Sequence, residues 1–139
     1  MYAICIVVGR VGRDPEMRYL PNGDPVTWFS MASDRKHNDR NGQQVSETTW
    51  FRVSVFGKQA ETVNQYLTRG KLVLVEGRLR CDPKTGGPVV FARQDGTSGA
   101  AFEIVTSNVR FLSPKGEGDA GGGAPQSPGE GQDDESIPF

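Results

Sequence analysis

The chain has one histidine, His37, and only two cysteines, Cys5 and Cys81, among its 139 residues. The two thiols have no metal-ligand spacing and both sit in apolar runs of strand character, so two buried free thiols in a reducing compartment are expected. His37 lies in a polar stretch without a nearby nucleophile and reads as a solvated loop residue. No GxxxxGK[ST] loop, HExxH pair or paired CxxC occurs, so no phosphate cradle or zinc site is spelled out. Asp133, Asp134 and Glu135 could attract a divalent cation weakly, but carboxylates without supporting ligands are poor ground for a metal site. The expectation is a non-enzyme with no cofactor and no metal. Long apolar runs are missing too. The opening "MYAICIVVGR" has a short apolar stretch and no basic segment ahead of it, which supports neither a signal peptide nor a membrane span. A cytoplasmic protein is expected.

The near-neutral total of −1 hides a split. Residues 1–113 carry 15 Lys and Arg against 11 Asp and Glu, a charge of +4, whereas residues 114–139 carry one Lys against six acids, a charge of −5. This second stretch holds seven Gly and four Pro, and no aliphatic or aromatic residue larger than Ala before Ile137. It cannot bury enough apolar surface to offset the entropy of ordering. The reading is a basic domain over 1–113, a disordered Gly/Pro-rich linker over 114–132 and an acidic tip over 133–139. Such asymmetry points to a polyanionic partner.

Within 1–113 the apolar pattern is mostly of period two. Strands are expected over 2–9, 26–34, 46–56, 71–81 and 101–112, with a brief extended piece around Tyr19 and a turn at "PKTGG" before "PVVFA". The polar joint over 35–45 makes a long hairpin with its tip at Asn41-Gly42. One helix is expected over 58–70, with Ala60, Val63, Tyr66 and Leu67 on its apolar face and Gly70 at its C-cap. This order predicts an all-β fold, a five-stranded Greek-key OB barrel with one short helix.

Strand alternation divides each strand into two lists. Phe51, Val53 and Val55 form a core face, leaving Trp50, Arg52, Ser54 and Phe56 outside. Over 26–34, Phe29 and Met31 point inward and Trp28 and Ser30 outward. Over 71–81, Val73, Val75, Gly77 and Leu79 form the core face, with Arg78 and Arg80 outside. The outer rings of Trp28, Trp50 and Phe56 are platforms on which unstacked bases can lie, while Arg52 supplies phosphate or cation–π contact. Lys36, His37 and Arg40 in the first hairpin, and Lys84 and Arg93 near the second, extend a basic surface. Stacking and phosphate contact both ignore sequence. Single strands should bind with little sequence preference and duplex DNA poorly.

Three stretches carry a family resemblance: "VVGRVGRDPEMRYLPNG" (7–23), "WFRVSVFGKQAETVNQYLTRGKLVLVEGRLR" (50–80) and "DDESIPF" (133–139). Together they resemble the bacterial single-stranded DNA-binding proteins of replication, over roughly 3–112 plus the last seven residues. The resemblance implies an OB-fold domain assembled as a homotetramer that wraps single-stranded DNA, nucleoid-associated, and active in replication, recombination and repair. It implies that Trp50 and Phe56 stack on bases. It also implies that Asp133, Asp134, Glu135, Ile137, Pro138 and Phe139 form a tip that recruits replication, recombination and repair enzymes. Gly9, Asp14, Pro15 and Tyr19 resemble turn and packing positions.

Several positions depart from the family pattern. Lys36 and Lys84 stand near places where many members have further stacking tryptophans, with Phe91 the nearest aromatic to the second. Ile4 replaces a basic residue, and Phe51 a histidine associated with subunit contacts. Trp28, which many members lack, compensates for a lost platform on this reading, and charge at Lys36 and Lys84 raises the salt sensitivity of binding. Two other readings are an OB-fold primosomal accessory protein whose sheet docks proteins, and an RNA-binding OB module.

Overall fold

The computed structural model describes residues 1–114, which form seven strands and one helix: β1 Cys5–Val11, β2 Glu16–Tyr19, β3 Pro25–Asn38, β4 Gln44–Phe56, α1 Lys58–Tyr66, β5 Leu72–Arg80, β6 Val89–Ala92 and β7 Ser98–Phe111. Five strands close a barrel in the order β1-β5-β7-β4-β3, with β3 returning to β1 through Arg10 opposite Ala32 and Val11 opposite Met31. Only β4 and β7 run parallel. Closure leaves few free edges, the usual answer of an all-β chain to its unpaired backbone groups. β2 adds to the start of β3, and β6 folds back on the start of β7.

The core is what alternation requires. Val7 and Val11, Phe29 and Met31, Val53 and Val55, Val73 and Val75, and Ile104 and Val109 all point inward and are buried. α1 closes one end. Its Ala60 and Val63, with Leu67 just beyond it, are buried; the Thr27 hydroxyl donates to the Ala60 carbonyl, and the Gln59 side-chain oxygen accepts from the Val109 N–H. The helix stops at Tyr66, four residues before the expected cap, because Leu67 turns extended and enters the core. Gly70 instead donates its N–H to the Val11 carbonyl. Tyr66 is exposed, not part of the apolar face.

Three hairpin turns share one design. In "LPNGD" (20–24), "DRNGQ" (39–43) and "RQDGT" (93–97), the first residue's N–H bonds to the fifth residue's carbonyl, and the Gly N–H returns to the first carbonyl. Each Gly has positive φ, at 89°, 77° and 84° for Gly23, Gly42 and Gly96, a conformation that penalises a side chain. The turn at Gly42 is the hairpin tip expected from Asn41-Gly42. Its arms are longer than expected, reaching Asn38 opposite Gln44.

Three expectations need correction. Leu79 lies opposite Ile104 on the inward side, yet it is 54% exposed. There β5 has passed a register shift at Glu76/Arg78 and run beyond its last pair with β1, Cys5 opposite Gly77, which leaves that flank of Leu79 open. Cys81 follows the last residue of β5 and is exposed, while Cys5 is only half-buried, so the thiols are not two buried groups. Tyr19, at the end of β2, is exposed and not packed. The linker beyond Pro114 and the tip 133–139 lie outside the described residues.

Candidate nucleic-acid interface

The site is one outward face of the barrel, built by register. Across β3 and β4, Val26 opposes Phe56, Trp28 opposes Ser54, Ser30 opposes Arg52, and Ala32 opposes Trp50. On the other side of β4, Arg52 opposes Glu103 of β7. Directly opposed residues share a face, so Trp28, Arg52 and Trp50 lie in one field with small residues between them. Above that field is a groove of about 780 Å³.

The structure brings five expected residues into this groove: Trp28, Trp50, Arg52, Arg80 and Phe91. Trp50 is 56% exposed and Trp28 37%. Phe56 is also 37% exposed and on the same face, but it stands at the end of β4 outside the groove lining. Lys36, Arg78 and Lys84 are exposed and also lie outside it. Lys36 is on the arm of the β3–β4 hairpin, and Lys84 is in the β5–β6 turn, its N–H bonded to the Asp82 carboxylate. His37, on the same arm, lies 3.8 Å from Glu47.

Support for the rings comes from residues that strand alternation does not single out. A Cβ at Gly12 would stand 2.6 Å from Trp50 Cζ3 and 3.0 Å from Ser30 Oγ. The indole therefore rests on bare backbone. Arg18 of β2 places its guanidinium 5.9 Å from the Trp28 ring. The signal for Gly12 was its place in "GRVGRD"; that for Arg18 was the pairing of β2 with β3, which the sequence alone does not give.

Arg52 is held from two sides. Its guanidinium lies 4.6 Å over the Phe91 ring and 4.0 Å from Glu103. Arg80 reaches the same carboxylate at 3.4 Å. The Glu103 side chain is only 15% exposed, so both arginines are tied to a partly desolvated anion. Phe91 thus serves the groove through a planar cation stacked on its ring. The charges of the lining cancel: Arg13, Arg52 and Arg80 stand against Asp14, Glu16 and Glu103. The groove therefore offers a ligand aromatic surface and no net charge.

Residues 3–112 match the Single-strand binding protein family. The chain belongs to that family. A single-stranded DNA-binding protein of Neisseria meningitidis is 42% identical over 127 residues, covering 91% of this chain and 68% of its relative. Among solved structures, a Plasmodium falciparum SSB in complex with ssDNA has a TM-score of 0.67 at 27% identity, covering 81% of this chain and 97% of the other. A small single-stranded DNA-binding protein from Streptomyces coelicolor has a TM-score of 0.64 at 25% identity, covering 78% and 93%. As a member of the single-strand binding family, the chain has the closed five-stranded barrel read from its alternation. Among the described residues no cluster of metal-ligating side chains occurs, and no helix is long and apolar enough to cross a membrane.

Proposed function

We propose that this protein binds single-stranded DNA with little sequence preference, by stacking bases on Trp50 and Trp28, and protects it during replication, recombination and repair. The observation that carries the reading is the pair of exposed indoles on one sheet face, separated by Ser30 and Arg52 and lining one groove. Water-exposed rings are a liability unless a ligand covers them, and every base has a π-face to offer. Duplex DNA keeps its bases stacked inside. Lys36, Lys84, Arg78 and Phe56 flank the groove and extend contact along a strand. Anisotropy titration of labelled oligo-dT and of a duplex of equal length tests this. Strong binding of the single strand alone is expected; equal binding of both would refute it.

A homotetramer is the proposed working form. Ile6 and Val8 of β1, with Ile4 just ahead of the strand, expose an apolar strip, continued by the half-buried Leu74, which faces Val8 on β5. Cys5 to Gly9 pair with β5 alone, while β3 meets only Arg10 and Val11. An apolar face beside an open backbone edge suits a second copy of the chain. The domain is taken as 1–113, with 114–132 as linker. Residues 133–139 serve as the recruiting segment: Ile137, Pro138 and Phe139 fill a partner's apolar pocket while Asp133, Asp134 and Glu135 meet basic residues around it. A peptide of residues 133–139 should compete with the full chain for replication and repair proteins, and a peptide without Phe139 should not.

A further inference from the structure

A second concavity of about 250 Å³ lies next to the groove and is lined by Arg10, Arg69, Gly70, Lys71 and Ser113. Its charged residues are all cations. Among the described residues none of the three makes an ion pair. Arg10 donates to the Gly70 carbonyl at 3.0 Å and Lys71 to the Tyr66 carbonyl at 3.2 Å. These bonds fix the side chains without neutralising them. Asp14, the nearby acid, accepts the backbone N–H of Arg69 at 2.9 Å and makes no ion pair with its guanidinium. In the groove, by contrast, Arg52 and Arg80 share Glu103 and the lining holds as many acids as arginines.

The two concavities are neighbours by construction. The row Leu72, Arg10, Ala32, Trp50 runs across β5, β1, β3 and β4 on one face. Arg10 and Trp50 are therefore two strand spacings apart, about 10 Å, with only a methyl side chain between them. The wall between the sites is the end of β1 and the segment that follows it. Gly12, Arg13 and Asp14 line the groove, while Val11 and Asp14 bond to the backbone of Gly70, Lys71 and Arg69.

We propose that Arg10, Arg69 and Lys71 form a phosphate site for a single strand leaving the groove past Trp50. The inference rests on the proposed function and adds a division of labour to it. Bases are held in a groove with no net charge, and a phosphate is held where three cations converge. The occupant is a nucleic-acid phosphate because the site continues the row that ends at Trp50. The chain's own acids, which begin four residues after Ser113 at Glu117, are the competing occupant that the test must exclude.

The test compares the full chain with the double variant Arg10→Gln, Lys71→Gln in salt titrations. The ligands are oligo-dT of about 16 nucleotides and of about four, the limits of site size for one OB fold. Loss of one phosphate contact lowers the salt slope for the longer oligomer by about 0.7 and weakens binding roughly five- to tenfold at 50 mM salt. The short oligomer keeps its affinity, and Arg10→Lys, Lys71→Arg restores the slope. An unchanged slope at both lengths overturns the site. Equal weakening at both lengths, not reversed by the Lys/Arg variant, also overturns it, since the change would then lie in the fold. If the effect disappears once residues 115–139 are removed, the acidic segment is the occupant and the proposal fails. Absence of binding to either oligomer by the unaltered chain is a different failure, that of the groove reading itself.

Discussion

On the proposed reading Trp50 is the residue on which binding turns, and its environment says how it should respond to change. Base–aromatic stacking contributes about 1–3 kcal/mol per base, a range drawn from single-strand binding proteins of this kind. Trp50→Ala should therefore weaken oligo-dT binding by about tenfold to a hundredfold, measured by anisotropy, with the thermal midpoint little changed because the ring is exposed. Gly12→Ala should act through Trp50, since its Cβ would stand 2.6 Å from the indole. It should reduce affinity while leaving the circular dichroism of the barrel intact. Glu103→Gln works in the other direction. It releases Arg52 and Arg80 from their shared carboxylate, so affinity should rise at low salt and the salt slope steepen by about 0.7 for each phosphate gained. Alternation alone exposed Trp28, Trp50 and Arg52. Glu103 and Gly12 were not legible that way, because their roles depend on which strands become neighbours.

At the level of elements, the barrel was legible because its strands alternate cleanly and its turns carry Asn-Gly or Asp-Gly. Gly42 makes this testable. With φ at 77°, Gly42→Val should destabilise the β3–β4 hairpin by about 1–2 kcal/mol, seen as faster amide exchange over the arms from Asp34 to Thr48. Affinity for short oligomers should hardly move, since the groove is built lower on the same strands. Where reading failed, a local pattern had been overridden by tertiary packing. The helix ends early because the core takes Leu67. Leu79 keeps its inward phase opposite Ile104 but is uncovered on its other flank, since β5 extends past its last pair with β1 at Gly77. Period two reports the face of a residue, not how far along the strand the core continues.

For the molecule as a whole, the division between +4 over residues 1–113 and −5 over 114–139 was plain from composition. Where the positive charge acts was not. The groove lining is balanced, and beside it Arg10, Arg69 and Lys71 line a concavity that holds no acid among the described residues. If the exposed apolar strip of β1 joins copies of the chain, Ile6→Glu should lower the mass measured by light scattering below that of the unaltered assembly. The central claim is that Trp28 and Trp50 face a groove that takes single strands by stacking. Intrinsic tryptophan fluorescence during titration with oligo-dT tests it most directly. The account predicts saturable quenching at stoichiometric single strand, and none with an equal amount of duplex. No quenching by oligo-dT, or the same quenching by duplex, would contradict it.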